Sequence, residues 1–131
     1  MKKILAAPLL LLAAMTFANA SDWVDLGTDR TSNVLLDADS IKHANKALDQ
    51  RTAWVKVKYI RPDGPYKAGD YTLASQTIDC RNGRFSISRV IAYNPKGQMT
   101  NQTPMNTGWM DIPPDSTFEY VAETICSYPY L

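Results

Sequence analysis

Cys80 and Cys126 are the only cysteines among 131 residues, and what they do depends on the compartment the chain enters. Lys2 and Lys3 precede an apolar run from Ile4 to Ala14, and Ala18-Asn19-Ala20 places small residues where a signal peptidase cuts. Residues 1–20 therefore read as a secretory signal peptide, followed at once by polar Ser21 and Asp22 rather than by a stop-transfer segment. An even cysteine count in an exported chain makes a Cys80–Cys126 disulfide the expected state, with two free thiols as the alternative. A redox pair would more often be C-x-x-C, and a zinc site needs further Cys or His ligands where this chain has only His43. Closing a loop of roughly 47 residues is worth about 4 kcal/mol in the chain-entropy estimate, a large share of a small domain's stability.

The mature chain, residues 21–131, is the size of one small domain. Without Lys2 and Lys3 the formal net charge of +1 becomes −1, so no basic excess draws the protein to nucleic acid or anionic lipid. No later apolar run is long enough to span a bilayer, and Ala20 and Ser21 stand where a lipoprotein carries its acylated cysteine. The expected product is periplasmic or secreted, with no transmembrane segment and no lipid anchor.

The order of elements can be read from turns and periodicity. Asn82-Gly83 is a strong two-residue hairpin signal, and a type I′ turn there sets Arg81 opposite Arg84, Cys80 opposite Phe85 and Ile78 opposite Ile87. Cys80 then points inward from a strand. Asn94-Pro95-Lys96-Gly97 has the Pro and Gly of a type I turn and leads to a strand over 98–103. In "AWVKVKYI" Val55, Val57 and Tyr59 alternate with Trp54, Lys56 and Lys58, the pattern of a half-buried strand. "DWVDLG" and "NVLLD" read as short strands, "DADSIKHANKAL" as a turn or short helix, and "RPDGPYKAGD" as a loop. After Pro113 and Pro114, Ser116 and Glu119 form a capping box, and Phe118, Val121, Ala122 and Ile125 follow a helical stripe with Cys126 at its edge. The expected fold is α+β: an antiparallel β-sheet of about five or six strands, a C-terminal helix packed on one face, and one disulfide joining hairpin to helix.

No G-x-S-x-G, H-E-x-x-H, phosphate-binding loop or EF-hand loop is present, so no catalytic residue, metal site or cofactor is expected. His43 reads as a surface histidine, and Asp37 and Asp39 as capping residues before a short helix. Trp54, on the lysine side of its strand, is either covered by the helix or exposed beside Lys56 and Lys58 as an aromatic and cationic patch for a partner. Tyr66, Tyr71, Tyr128 and Tyr130 lie in loops or near ends, where tyrosine can serve as a contact anchor, and Trp23 and Trp109 read as core or sheet-edge packing.

Taken in order, Trp23, "LLDADSI" (35–41), "WVKVKYI" (54–60), "IDC" (78–80), Tyr93 with Gly97, and "WMDIPPDSTFEYVAETIC" (109–126) resemble the surface-adhesin protein E family of small exported bacterial proteins. The resemblance spans nearly the whole mature chain. It implies a compact antiparallel sheet with a packed helix, disulfide positions at Cys80 and Cys126, and no catalysis. For the adhesin after which the family is named it implies attachment to host extracellular-matrix or serum proteins and display as a lipoprotein, and this sequence lacks the lipobox cysteine of that display. The matched positions are scaffold, so no ligand contact carries over.

The leading expectation is a non-enzymatic exported binding domain with Trp54, Lys56, Lys58 and Tyr66 as partner contacts. The rival is a periplasmic protein that binds a small molecule or cell-wall component through Asp37, Asp39 and His43. A third reading is a structural envelope protein, with a homodimer formed at an open sheet edge.

Overall fold

A computed structural model describes residues 22–129; the expected signal peptide and Tyr130 lie outside the described residues. Eight strands and one α-helix follow in the order β1 (Trp23–Thr28), β2 (Ser32–Asp37), a 3-10 turn (Ala38–Ser40), β3 (Lys42–Asn45), β4 (Gln50–Tyr59), β5 (Tyr71–Asp79), β6 (Arg84–Tyr93), β7 (Met99–Pro104), β8 (Met110–Asp111) and α1 (Thr117–Cys126). All pair antiparallel in one sheet of order β1-β2-β4-β5-β6-β7, with β3 on β4 and β8 on β6.

The α+β architecture agrees with the sequence reading, but the strands number eight rather than five or six. The excess comes from β3 and β8, both short. "IKHAN" was legible only as a turn or short helix; it pairs with β4 beyond the end of β2, where edge hydrogen bonds outweigh weak helical preference. β8 is two residues long and carries no periodic signal.

Cross-strand register sorts the side chains into two faces. On one, the row Leu36, Val55, Ala74, Val90 runs across β2, β4, β5 and β6. Helix α1 lies here, burying Val121, Ala122 and Ile125 among Leu36, Val55, Ile78 and Phe85. Leu36 and Ile125 are fully buried. Phe85 and Phe118 stack with ring centroids 4.5 Å apart, locking β6 to the first turn of the helix.

The helix begins as its sequence dictates. The Ser116 hydroxyl accepts from Glu119 N at 3.2 Å, while Glu119 Oε2 accepts from Asp115 N at 3.1 Å, one residue before the reciprocal partner of a standard box. At the other end Arg51 Nη1 donates to the carbonyls of Ile125 and Tyr128.

The β5–β6 hairpin corrects the expected register. Asp79 pairs with Arg84 and Ile78 with Phe85, so the loop is four residues, Cys80 to Gly83, and not the two-residue type I′ turn. Only Gly83 has positive φ, at 63°; Asn82 does not. Asp79 decides this. Its carboxylate, 1 % exposed, accepts from Asn82 N, Asn82 Nδ2 and Arg84 Nη2, and so fixes an Asx-type turn that the Asn-Gly signal alone does not reveal. Cys80 therefore sits in the loop and not on the strand, where it bonds Cys126 of α1 across a Cα–Cα distance of 5.8 Å. The expected bridge between hairpin and helix is present. The Asn94–Gly97 turn also forms as expected, with Gly97 N donating to Asn94 O and Gly97 at φ 78°.

Candidate surface for a binding partner

The second face of the sheet holds the residues that the sequence marked for contact. Here the row Asp25, Leu35, Lys56, Leu73, Ile91, Gln102 crosses six strands. Beside it run Trp23, paired with Asp37, and Trp54, paired with Ser75; on its other side lie Lys58, Tyr71 and Tyr93. Among the described residues the α-helix lies on the opposite face. Trp23, Leu35, Trp54, Leu73, Ile91, Tyr71 and Tyr93 are consequently half-buried, screened by one another rather than by a covering layer.

Their arrangement is specific. The Tyr71 and Tyr93 rings stack at 4.9 Å and 11°. Lys56 Nζ sits 4.3 Å from the Trp23 ring centroid and 5.1 Å from that of Tyr71, a cation held between two π faces. Removal of the ammonium from water lowers the Lys56 pKa below the ordinary lysine value, with the Lys58 charge adding to the shift.

Trp54 is tied in place from behind. Its backbone N–H donates to Ser40 Oγ at 2.9 Å, and that hydroxyl donates to the Asp37 carbonyl at 2.7 Å. Thus the Asp-Ala-Asp-Ser turn positions the tryptophan strand. Two clefts flank the indole: one of about 460 Å³ lined by Asp39, Ser40, Lys42, Thr52, Ala53 and Ser75, the other of about 340 Å³ lined by Trp23, Asp37, Leu73 and Ile91.

The four expected contact residues divide. Trp54, Lys56 and Lys58 share the open face. Tyr66 does not join them: its ring stacks on Tyr59 at 4.5 Å, and Tyr59 projects on the helix side with Val55 and Val57. Burial, more than the neighbouring Tyr66 and Asp63, raises the Tyr59 pKa above the usual phenol range. Trp109, read as packing, is 40 % exposed and lies under the Arg84 guanidinium at 5.4 Å.

The rival triad is not assembled. His43 is opposite Arg51, whose guanidinium reaches the helix C-terminus, whereas Asp37 faces the other way beside Trp23 and Trp54. Among the described residues no group of three His, Cys, Asp or Glu side chains is placed to hold a metal ion. The contributions of Trp23, Tyr93, Leu73 and Ile91 escaped sequence reading, whereas Tyr71, read as a contact anchor in a loop or near an end, opens β5 on this face. The period-two alternation was the available signal, but it cannot say which face a helix will cover.

The sheet keeps its α-helix on one face and an ordered set of aromatic side chains on the other. The chain belongs to the surface-adhesin protein E family, whose family model matches residues 23–127. No curated protein matches it. Among the described residues no helix is long and apolar enough to cross a membrane.

Proposed function

We propose that this is a non-enzymatic exported adhesin that attaches through the open sheet face to host extracellular-matrix or serum proteins. The observation that supports it most is the aromatic array, uncovered among the described residues, in which Lys56 is held between Trp23 and Tyr71. Contiguous half-exposed rings of this kind are costly to leave facing water and are typical of recognition surfaces. Family membership supports a surface role. Trp54 and Lys58 extend the array; Tyr66 lies outside it.

The test has two parts. Protease and antibody accessibility on intact cells, against a periplasmic control, reports display. Binding of the purified domain to immobilised matrix and serum proteins is then compared for wild type, Trp54→Ala and Lys56→Glu. Display together with a loss of at least about tenfold in both variants, at unchanged thermal midpoint, is the expected result. Protection to the control's level, or variants that bind like wild type, overturns it.

A further inference from the structure

We propose that the two clefts flanking Trp54 form a saccharide-binding site that takes a neutral pyranose unit. This deepens the adhesin reading and rests on the same face.

The chemistry of the walls selects the ligand. The larger cleft, about 460 Å³, presents Asp39, Lys42 and the hydroxyl-bearing Ser40, Thr52 and Ser75 around one side of the indole. The smaller, about 340 Å³, is walled by Trp23, Leu73 and Ile91 with Asp37 beside them. Both volumes fall within the roughly 300–1,000 Å³ of small-molecule sites. Register confirms a shared face: Lys42 pairs with Thr52, and Trp54 with Ser75.

Charge narrows the choice. The cleft walls carry two carboxylates, Asp37 and Asp39, against one ammonium, Lys42. The Lys56 ammonium lies just outside them, 4.3 Å from the Trp23 ring centroid, so no strong excess of either sign awaits a free ion. A purely apolar ligand would strip water from Asp39 and Lys42 without replacing their hydrogen bonds. A pyranose meets all three conditions: its C–H face lies against an indole, its edge hydroxyls both donate and accept, and it carries no charge.

The existing hydrogen bonds engage the Ser40 hydroxyl with Trp54 N and Asp37 O but leave acceptor capacity elsewhere on the walls. Thr52 Oγ1 spends its proton on the Gln76 carbonyl at 3.0 Å but keeps lone pairs for a ligand hydroxyl. Asp37 is 8 % exposed, and its Oδ1 has no hydrogen-bond partner among the described residues. That is an unmet demand for a donor beside the indole. Ser40 anchors Trp54 N from below, so the platform is pre-organised.

The test follows the three indole N–H signals of Trp23, Trp54 and Trp109 by ¹⁵N NMR of the whole mature chain. Two probes separate the sources of a pyranose: the GlcNAc–MurNAc disaccharide as its neutral methyl ester for bacterial wall glycan and N-acetyllactosamine for host glycan. Saturable movement of Trp54 and Trp23 with Trp109 unchanged, by either probe, is expected, and the responding probe names the source. The double variant Asp39→Asn with Lys42→Ala changes two exposed side chains and should weaken that probe by about tenfold with the spectrum otherwise intact. No movement at Trp54 with both probes at millimolar concentration, equal movement of Trp109, or full binding in the double variant overturns the proposal. If the saccharides fail while matrix-protein binding still depends on Trp54 and Lys56, the adhesin reading stands and only the pyranose is lost; if both fail, the face is not a binding surface.

Discussion

Arg51 Nη1 donates to the main-chain carbonyl of Ile125 at 3.0 Å, across 74 residues of sequence. The same nitrogen reaches Tyr128 O at 3.1 Å, and Nε pairs with Asp49 at 3.1 Å. A strand residue thus places its charge at the negative end of the helix and adds a charged donor to the Ile125 carbonyl, which also accepts from Tyr128 N at 3.3 Å. Replacement of Arg51 by Leu should destabilise the fold by about 2 kcal/mol, within the range for charge-assisted hydrogen bonds. Urea denaturation followed by circular dichroism measures it; an unchanged midpoint would show that the cap contributes nothing.

Acid should loosen the β5–β6 hairpin. The side chains of Asn82 and then Arg84 hold the Asp79 pKa down to about 2. Its value in the unfolded chain is about 3.9. A depressed folded pKa means that the stabilisation is complete above the unfolded value and is lost as pH falls from about 4 through 2. Wild type should lose thermal stability over that window more steeply than Asp79→Asn, which cannot ionise there. Parallel slopes in calorimetry would contradict the assignment.

The disulfide bridges residues 46 apart in sequence. Cys80→Ala with Cys126→Ala should cost about 4 kcal/mol, an upper figure from loop entropy. The urea midpoint of the oxidised protein should fall to that of the double variant when reductant is added. Equal midpoints with and without reductant would mean that the bond adds no stability.

The two sheet faces should respond differently to truncation. Leu36 and Ile125 are 0 % exposed under the helix, and replacement of either by Ala should cost about 2–5 kcal/mol. Leu73, half-buried on the open face, should cost only about 1 kcal/mol when cut to Ala, since solvent fills the gap. A loss at Leu73 as large as at Leu36 would indicate that something covers the open face.

Much of the fold was legible because local rules and burial agree. The alternation Trp54, Lys56, Lys58 against Val55, Val57, Tyr59 places β4 correctly, and the stripe Phe118, Val121, Ala122, Ile125 places α1 and its buried side. The Asn94–Gly97 turn needs only a Pro and a Gly in sequence. The hairpin register was misread because Asn82-Gly83 supports more than one loop length, and the arbiter is a buried carboxylate bonded to residues three and five positions on.

The sequence by itself determined a strand with two chemically distinct sides, an amphipathic helix and two cysteines able to join them. Tertiary structure alone decided which side of the sheet that helix covers. It set Val55 and Ile78 against Ile125 and left Trp23, Trp54, Lys56, Tyr71 and Tyr93 together on the other face. These residues come from four strands, β1, β4, β5 and β6, and become neighbours only through cross-strand register. Periodicity is a property of one segment, whereas a binding face is a property of pairing between segments distant in the chain.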